Sequence, residues 1–253
     1  MKNIRLGICK LCDIQSNLVK SHVIPRSVFA KTLKGYTYGR VLDRKYNKVV
    51  NEQDQWSTRL LCSKCEHMLN VNYEQYSLKI LRTTSSNMEK LKKNDLLHVS
   101  DVDQKVLILF IISILWRAIE SEHEIFKNLK IIQIDSTLKQ LLKHCVRDNW
   151  LPFNNFFSVK ISKLITKIDI YKNIKLDFIS NFSIEPHENE RIRILFIIEG
   201  YFFEIYLHTN PYDLLLDTGV LNKKKKILKI PLVEIFSIPC VQEYFTEILQ
   251  AKT

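Results

Sequence analysis

At 253 residues and 46% hydrophobic, the chain is long enough for one large domain or two small ones and too apolar to be disordered. Its net charge of +11 favours polyanionic partners, the alternative being a solvated, lysine-rich surface. The longest apolar run, Val106 to Trp116, covers 11 positions where a membrane span needs roughly 20, and no apolar run of leader type follows Met1–Lys10, so a cytoplasmic protein without membrane contact is expected.

The positive charge is uneven. Residues 1–75 carry 13 Lys and Arg against 6 Asp and Glu, a net of +7, and the other 178 residues hold the remaining +4. Two C-x-x-C pairs fall in the same segment: Cys9-Lys10-Leu11-Cys12 and Cys62-Ser63-Lys64-Cys65, separated by 49 residues. In a chain without a secretion signal, paired thiols suit metal binding better than disulfides or redox dithiols. Each pair presents two thiolates from a tight turn, and two turns complete a tetrahedron. Cys9, Cys12, Cys62 and Cys65 are therefore expected to hold one structural zinc ion, with no open position for chemistry. Cys145 and Cys240 stand in apolar surroundings and read as small core residues.

Between the pairs, Lys20-Ser21-His22-Val23-Ile24-Pro25-Arg26 reads as a short strand stopped by Pro25, with a helical turn following through Val28 to Leu33. Arg40 to Val50 reads as extended chain. Lys20, Arg26, Arg59 and Lys64 are the basic residues expected to meet nucleic acid. From Cys65 a helix is predicted, with Leu69, Tyr73, Tyr76 and Ile80 as its apolar stripe. On a neighbouring face Glu66, Asn70 and Glu74 recur every fourth residue. That spacing also describes an ordinary solvated helix face, and a lone His22 is often no more than a hydrogen-bonded surface residue.

The order C-x-x-C, then S-H-V-I-P, then L-L-C-x-x-C-E resembles the zinc-stapled branch of the HNH, or ββα-metal, endonucleases. There a D-H-I-x-P strand follows the first C-x-x-C, and L-C-x-x-C-H or L-C-x-x-C-N opens a helix. The match spans roughly residues 9–80. The resemblance implies a treble-clef or ββα-metal finger in which His22 is the general base. It implies that Glu66, with Asn70 one turn on, binds a catalytic Mg²⁺ or Mn²⁺. Ser21 stands where the family has Asp. Glu66 stands where it has the final His or Asn, with His67 next. The family's middle Asn falls near Ser57 or Asn51. The implied activity is hydrolysis of nucleic-acid phosphodiesters, DNA favoured over RNA, in bacterial defence or mobile elements. The alternative is a zinc-finger binding or regulatory module that kept the scaffold and lost catalysis.

Beyond residue 81 the chain changes character. Asp101 to Phe126 is predicted as a long helix apolar nearly all round, hence enclosed by other elements. Ser136 to Val146 follows as a second helix with Ser136 as its cap, and Asn149-Trp150-Leu151-Pro152 ends the helical part. Strands are expected over 156–164, 168–179, 191–198 and 201–208, the last two flanking a Glu199-Gly200 hairpin turn. A closing helix is expected over about 240–250. The Lys223–Lys226 run, after Asp217-Thr218-Gly219, reads as a solvated loop. No P-loop, dinucleotide loop or G-x-S-x-G motif is present. The expected whole is α+β: a finger over 1–80, then a unit over 81–253 with helices at about 101–148 and an antiparallel, β-rich remainder at about 156–235. The second unit is expected to pack against the finger, to recognise a target, or to mediate contact with a protein partner or a second copy.

Overall fold

A computed structural model describes residues 5–32, 39–43, 48–52, 56–132, 134–144, 157–167, 179–187, 191–207 and 218–238. The chain begins with a hairpin, β1 (Arg5–Ile8) and β2 (Gln15–His22), whose turn carries Cys9 and Cys12. Pro25 precedes the short helix α1 (Arg26–Thr32), where its fixed φ suits a helix start. Strands β3 (Gly39–Asp43) and β4 (Lys48–Glu52) pair antiparallel, as the extended reading of this stretch anticipates. Strand β5 (Ser57–Cys62) then returns to β2 and leads without a break into α2 (Ser63–Leu69).

The predicted helix after the second cysteine pair is present but not uniform. One π-helical turn, Asn70–Glu74, separates α2 from α3 (Gln75–Ser86). The extra residue per turn shifts the apolar stripe. Leu69 and Tyr73 are buried as expected, but beyond them Ser77, Leu78 and Leu81 are buried while Tyr76 and Ile80 are only half covered. Residue 80 lies inside α3, and apolar side chains from Cys9 to Ile230 form one core.

After α4 (Met88–Leu91) come the short strands β6 (Lys92–Lys93) and β7 (Leu96–Val99), then the central helix α5 (Gln104–Glu120). The helix starts three residues later than the predicted Asp101. Asp103 is the cap, and its carboxylate accepts from the backbone N–H of Lys105 and Val106. It ends at Ser121, whose extended backbone breaks the run short of Phe126. A 3₁₀ segment, Glu124–Ile132, and α6 (Asp135–His144) follow, so Ser136 sits within α6 and not before it.

The remaining strands are β8 (Phe157–Ile165), β9 (Ile179–Ser180), β10 (Ser183–His187), β11 (Arg191–Ile198), β12 (Tyr201–Leu207) and β13 (Leu228–Glu234). A seven-stranded sheet runs β10-β11-β12-β8-β13-β7-β6, antiparallel except for β13 against β8. Two three-stranded sheets, β1-β2-β5 and β4-β3-β9, complete an α+β molecule. In the β11–β12 hairpin Ile198 faces Tyr201, and both turn residues have positive φ (54° at Glu199, 70° at Gly200), the requirement of a type I′ turn. The calls on 168–178, on Asn149–Pro152 and on the closing helix at 240–250 lie outside the described residues, as do Cys145 and Cys240. Among the described residues no helix is long and apolar enough to cross a membrane.

Two features join the cysteine-bearing sheet to the large one. A file of aromatic rings passes from Phe29 to Trp56, Phe126, Phe182, Phe196 and Phe203, with centroid separations of 5.4, 5.4, 5.9, 4.8 and 5.1 Å. Most of these contacts are edge-on or tilted, the arrangement ring quadrupoles favour. At the hairpin tip the buried Glu199 carboxylate accepts from Lys31 of α1 at 2.8 Å and from Arg82 of α3 at 2.6 and 3.0 Å.

Candidate metal centre and adjoining cleft

Cys9 and Cys12 are presented by a turn that closes on itself. The Cys9 N–H donates to the Ile14 carbonyl, and the Asp13 N–H to the Cys9 carbonyl. Asp13 takes a positive φ of 63°, which aspartate tolerates better than most residues. Cys62 ends β5 and occupies the cap position of α2, so Cys65 falls in the helix's first turn. The Lys10 N–H donates to the Leu60 carbonyl at 2.9 Å, and the Cys62 N–H to the Cys9 sulfur at 3.3 Å, drawing the two halves together. The four Sγ atoms lie within 4.8 Å of one another.

Such a cluster is unfavourable as free thiols and favourable around a cation. Burial opposes ionisation of Cys9, but N–H groups of Cys12, Cys62 and Leu11 outweigh it and bring that thiol down to about 7. Burial pushes Cys12 and Cys65 up, and the negative charge at Cys9 adds to the rise at both. One thiolate forms easily and suppresses its neighbours, a conflict that a divalent ion such as zinc removes. Four sulfurs would fill a tetrahedral shell around such an ion and leave no open position on it. Asp13 braces the turn from outside, accepting from Lys139 at 2.5 Å and Lys143 at 2.8 Å on α6. Those two hydrogen bonds hold its carboxyl down at about 2.

Beside the cysteines opens a cleft of about 770 Å³. His22, the last residue of β2, lines it together with Glu66, Asn70 and Glu74 from the following helical stretch, Arg26 from α1, and Arg82 and Arg117. The every-fourth-residue face thus lines the cleft, with Glu74 buried, Glu66 partly covered and Asn70 exposed. The π-helical turn lies between Glu66 and Glu74, a place where such turns often accompany a site.

The carboxylates of the cleft differ. Glu74 is buried and meets Arg117, itself only 1% exposed, at 2.5 Å. The same Arg117 nitrogen donates to the His22 carbonyl at 3.1 Å, so α5 fixes the end of β2. Glu66 has no such partner: its Oε2 is buried without a hydrogen bond. Burial pushes the Glu66 carboxyl up, the Arg117 charge and the nearby Ser21 hydroxyl oppose this, and Glu74 reinforces it. Ser21 is fully buried.

Of the four basic residues marked in the sequence, Arg26 lines the cleft. Lys20 is exposed on β2 and faces Arg59 of β5 in register, and Arg59 donates to the Leu18 carbonyl at 2.9 Å. Lys64 is exposed in the first turn of α2. His67 is exposed, Ser57 pairs in register with His22, and the Asn51 side chain lies outside the described residues.

Sequence reasoning assigned no role to Arg117, which falls within the predicted helix of 101–126. A signal was available: it is the sole charged residue from Val106 to Ile119, and a charge buried that deeply requires a partner. No protein-family model, curated protein or solved structure matches the chain.

Proposed function

We propose that the protein is an HNH-like, metal-dependent endonuclease that hydrolyses nucleic-acid phosphodiesters, with DNA the favoured substrate. The observation that carries this reading is the shared cleft of His22, Glu66 and Asn70, beside four clustered cysteines whose last member immediately precedes Glu66. The cysteines would hold Zn²⁺ and thereby fix the direction of α2, in the manner of a treble-clef finger.

His22 is the general base: a neutral imidazole accepts a proton from water near pH 7 as the water oxygen attacks phosphorus. Arg117 holds the His22 backbone through its carbonyl, which limits where the ring can stand. Glu66 and Asn70 offer a carboxylate and an amide oxygen, hard donors suited to Mg²⁺ or Mn²⁺, and the unpaired Oε2 of Glu66 fits a ligand awaiting its ion. Such an ion, when bound, supplies Lewis-acid stabilisation of the leaving oxygen. Glu74 is committed to Arg117 and is not counted among the ligands. Arg26 contributes positive charge at the cleft for the phosphate backbone.

Ser21 supports the second reading, a binding or regulatory module without catalysis, because a buried hydroxyl replaces the carboxylate this family uses beside its histidine. Plasmid nicking with Mg²⁺, Mn²⁺ or Ni²⁺ separates the two. The wild-type protein is expected to nick, and His22→Ala to lose about 10²- to 10⁴-fold of the rate, the usual worth of a general base. Equal nicking by both proteins, or none with any of the three metals, removes the nuclease reading.

A further inference from the structure

We propose that the loop Asn222–Ile227 and the adjoining corner of the large sheet form a second nucleic-acid contact surface, separate from the cleft and binding phosphate backbone through lysines. The inference rests on nucleic acid being the partner but not on cleavage.

The loop carries Lys223, Lys224, Lys225 and Lys226 in succession, and the last three are exposed. A solvated loop needs no fixed shape, yet this one is pinned from beneath. Gln104, 2% exposed at the start of α5, donates through Nε2 to the Lys225 carbonyl at 2.9 Å and the Ile227 carbonyl at 3.0 Å. Its Oε1 accepts from the Asn222 N–H at 2.9 Å. Asn222 closes the turn with its side-chain oxygen on the Lys224 N–H and its carbonyl on the Lys225 N–H, both at 3.0 Å. The Val102 N–H donates to the Lys226 carbonyl at 2.9 Å. A buried amide thus uses both ends of its side chain to hold the backbone of a run of like charges.

No described carboxylate forms an ion pair with Lys224, Lys225 or Lys226. Lys224, Lys225 and Lys226 therefore hold mutually repelling charges that a polyanion would relieve. The sheet extends it. Lys229 faces His98 across β13 and β7, and Lys93 faces Leu96 across β6 and β7. Their alternation with the buried Leu97 and Ile230 puts Lys93 and Lys229 on one outward face, and both are exposed. Lysines on the edge strand β6 also guard against edge pairing, but the loop is no sheet edge and that explanation does not reach it.

Point-charge ammonium groups on a fixed backbone suit evenly spaced phosphates. A lipid surface is the competing polyanion, since Ile227 is 58% exposed beside the lysines. One isoleucine offers little to insert, and no aromatic side chain accompanies it in the loop.

The test uses the full chain and duplex DNA, without added divalent cation, over a series of salt concentrations. The variant is Lys224→Gln/Lys225→Gln/Lys226→Gln, whose exposed positions leave the fold alone. Its affinity should fall at least about tenfold, and the slope of log K against log salt should shrink by about 2–3, roughly one per lost phosphate contact. Gln104→Met keeps every charge while releasing the loop, and its affinity should also fall, with circular dichroism checking that it folds. Unchanged DNA affinity and slope in the triple variant overturn the proposal. So does a wild-type protein that binds no DNA, or a triple variant that loses binding to phosphatidylserine vesicles and not to DNA. Nicking is scored in parallel. Intact nicking with unchanged DNA binding in the triple variant sinks this surface alone, and wild-type DNA binding through it without nicking sinks the nuclease alone.

Discussion

Around the cysteines the sheet has three members, and its edge strand leaves Leu6 and Ile8 each 63% exposed. In the large sheet every residue from Ile194 to Tyr206 is buried, including the turn between the strands. Buried apolar area stabilises the second region at roughly 1.5–3 kcal/mol for each large side chain covered. The first region packs Leu11, Val23, Ile24, Trp56 and Leu61 into the same core and adds four converging sulfurs to it. The buried carboxylates differ in the same sense. Glu199 meets two cations, whereas Glu66 has a carboxylate oxygen without a partner. The large sheet holds its buried Glu199 carboxylate with protein cations, and the cysteine region keeps a carboxylate oxygen and four sulfurs that a cation would satisfy.

The strongest way to break this comparison is to remove a sulfur. Cys62→Ser is expected to lose stoichiometric metal and to unfold the β1-β2-β5 sheet, because structural zinc supplies about 10–16 kcal/mol in motifs of this size. Atomic emission reads the metal, and amide exchange should show protection lost in β2 and β5 but kept in β11 and β12. A variant with its metal retained would show the ligand assignment wrong. A middle-sized effect is expected at the junction. Arg117→Met leaves Glu74 buried and uncompensated, at a cost of about 3–5 kcal/mol in urea unfolding, and adding Glu74→Gln should recover much of it. A single variant as stable as wild type would mean that Arg117 does not clamp the cleft. The smallest effect belongs to Asp13→Asn. Asp13 itself is exposed and its lysine partners are only partly covered, so the melting temperature should barely move, and any shift should fade in high salt. A large, salt-independent loss would make the brace on α6 as important as the cysteines themselves.

Local chemistry made much of this molecule legible in advance. Thiol spacing pointed to the cysteine cluster, Pro25 to the break between β2 and α1, and Glu199-Gly200 to a two-residue turn, because each depends on neighbouring residues alone. The cleft was legible in part. The positions of His22, Glu66 and Asn70 came through a resemblance, and the four-residue spacing of Glu66, Asn70 and Glu74 equally described a solvated face. The π-helical turn after Leu69 left no mark in the spacing, since Tyr76 and Ile80 continue the ordinary period that the backbone abandons. Arg117 and Glu74 are 43 positions apart, and the parallel pairing of β13 with β8 joins residues about as remote as Leu232 and Lys163. Contacts of that range depend on how whole elements pack, which periodicity within one element does not encode.

The Glu199-Gly200 turn alters which parts of the surface can vary. Hairpin tips are ordinarily where a chain accepts extra residues most readily, being exposed and lightly bonded. This tip is enclosed, with its carboxylate between Lys31 and Arg82 and a neighbouring Tyr201 hydroxyl donating to the Leu81 carbonyl at 2.9 Å. A turn that looks like free space for insertion in a sequence is here a keyed joint, and lengthening it by even one residue would part the large sheet from both α1 and α3.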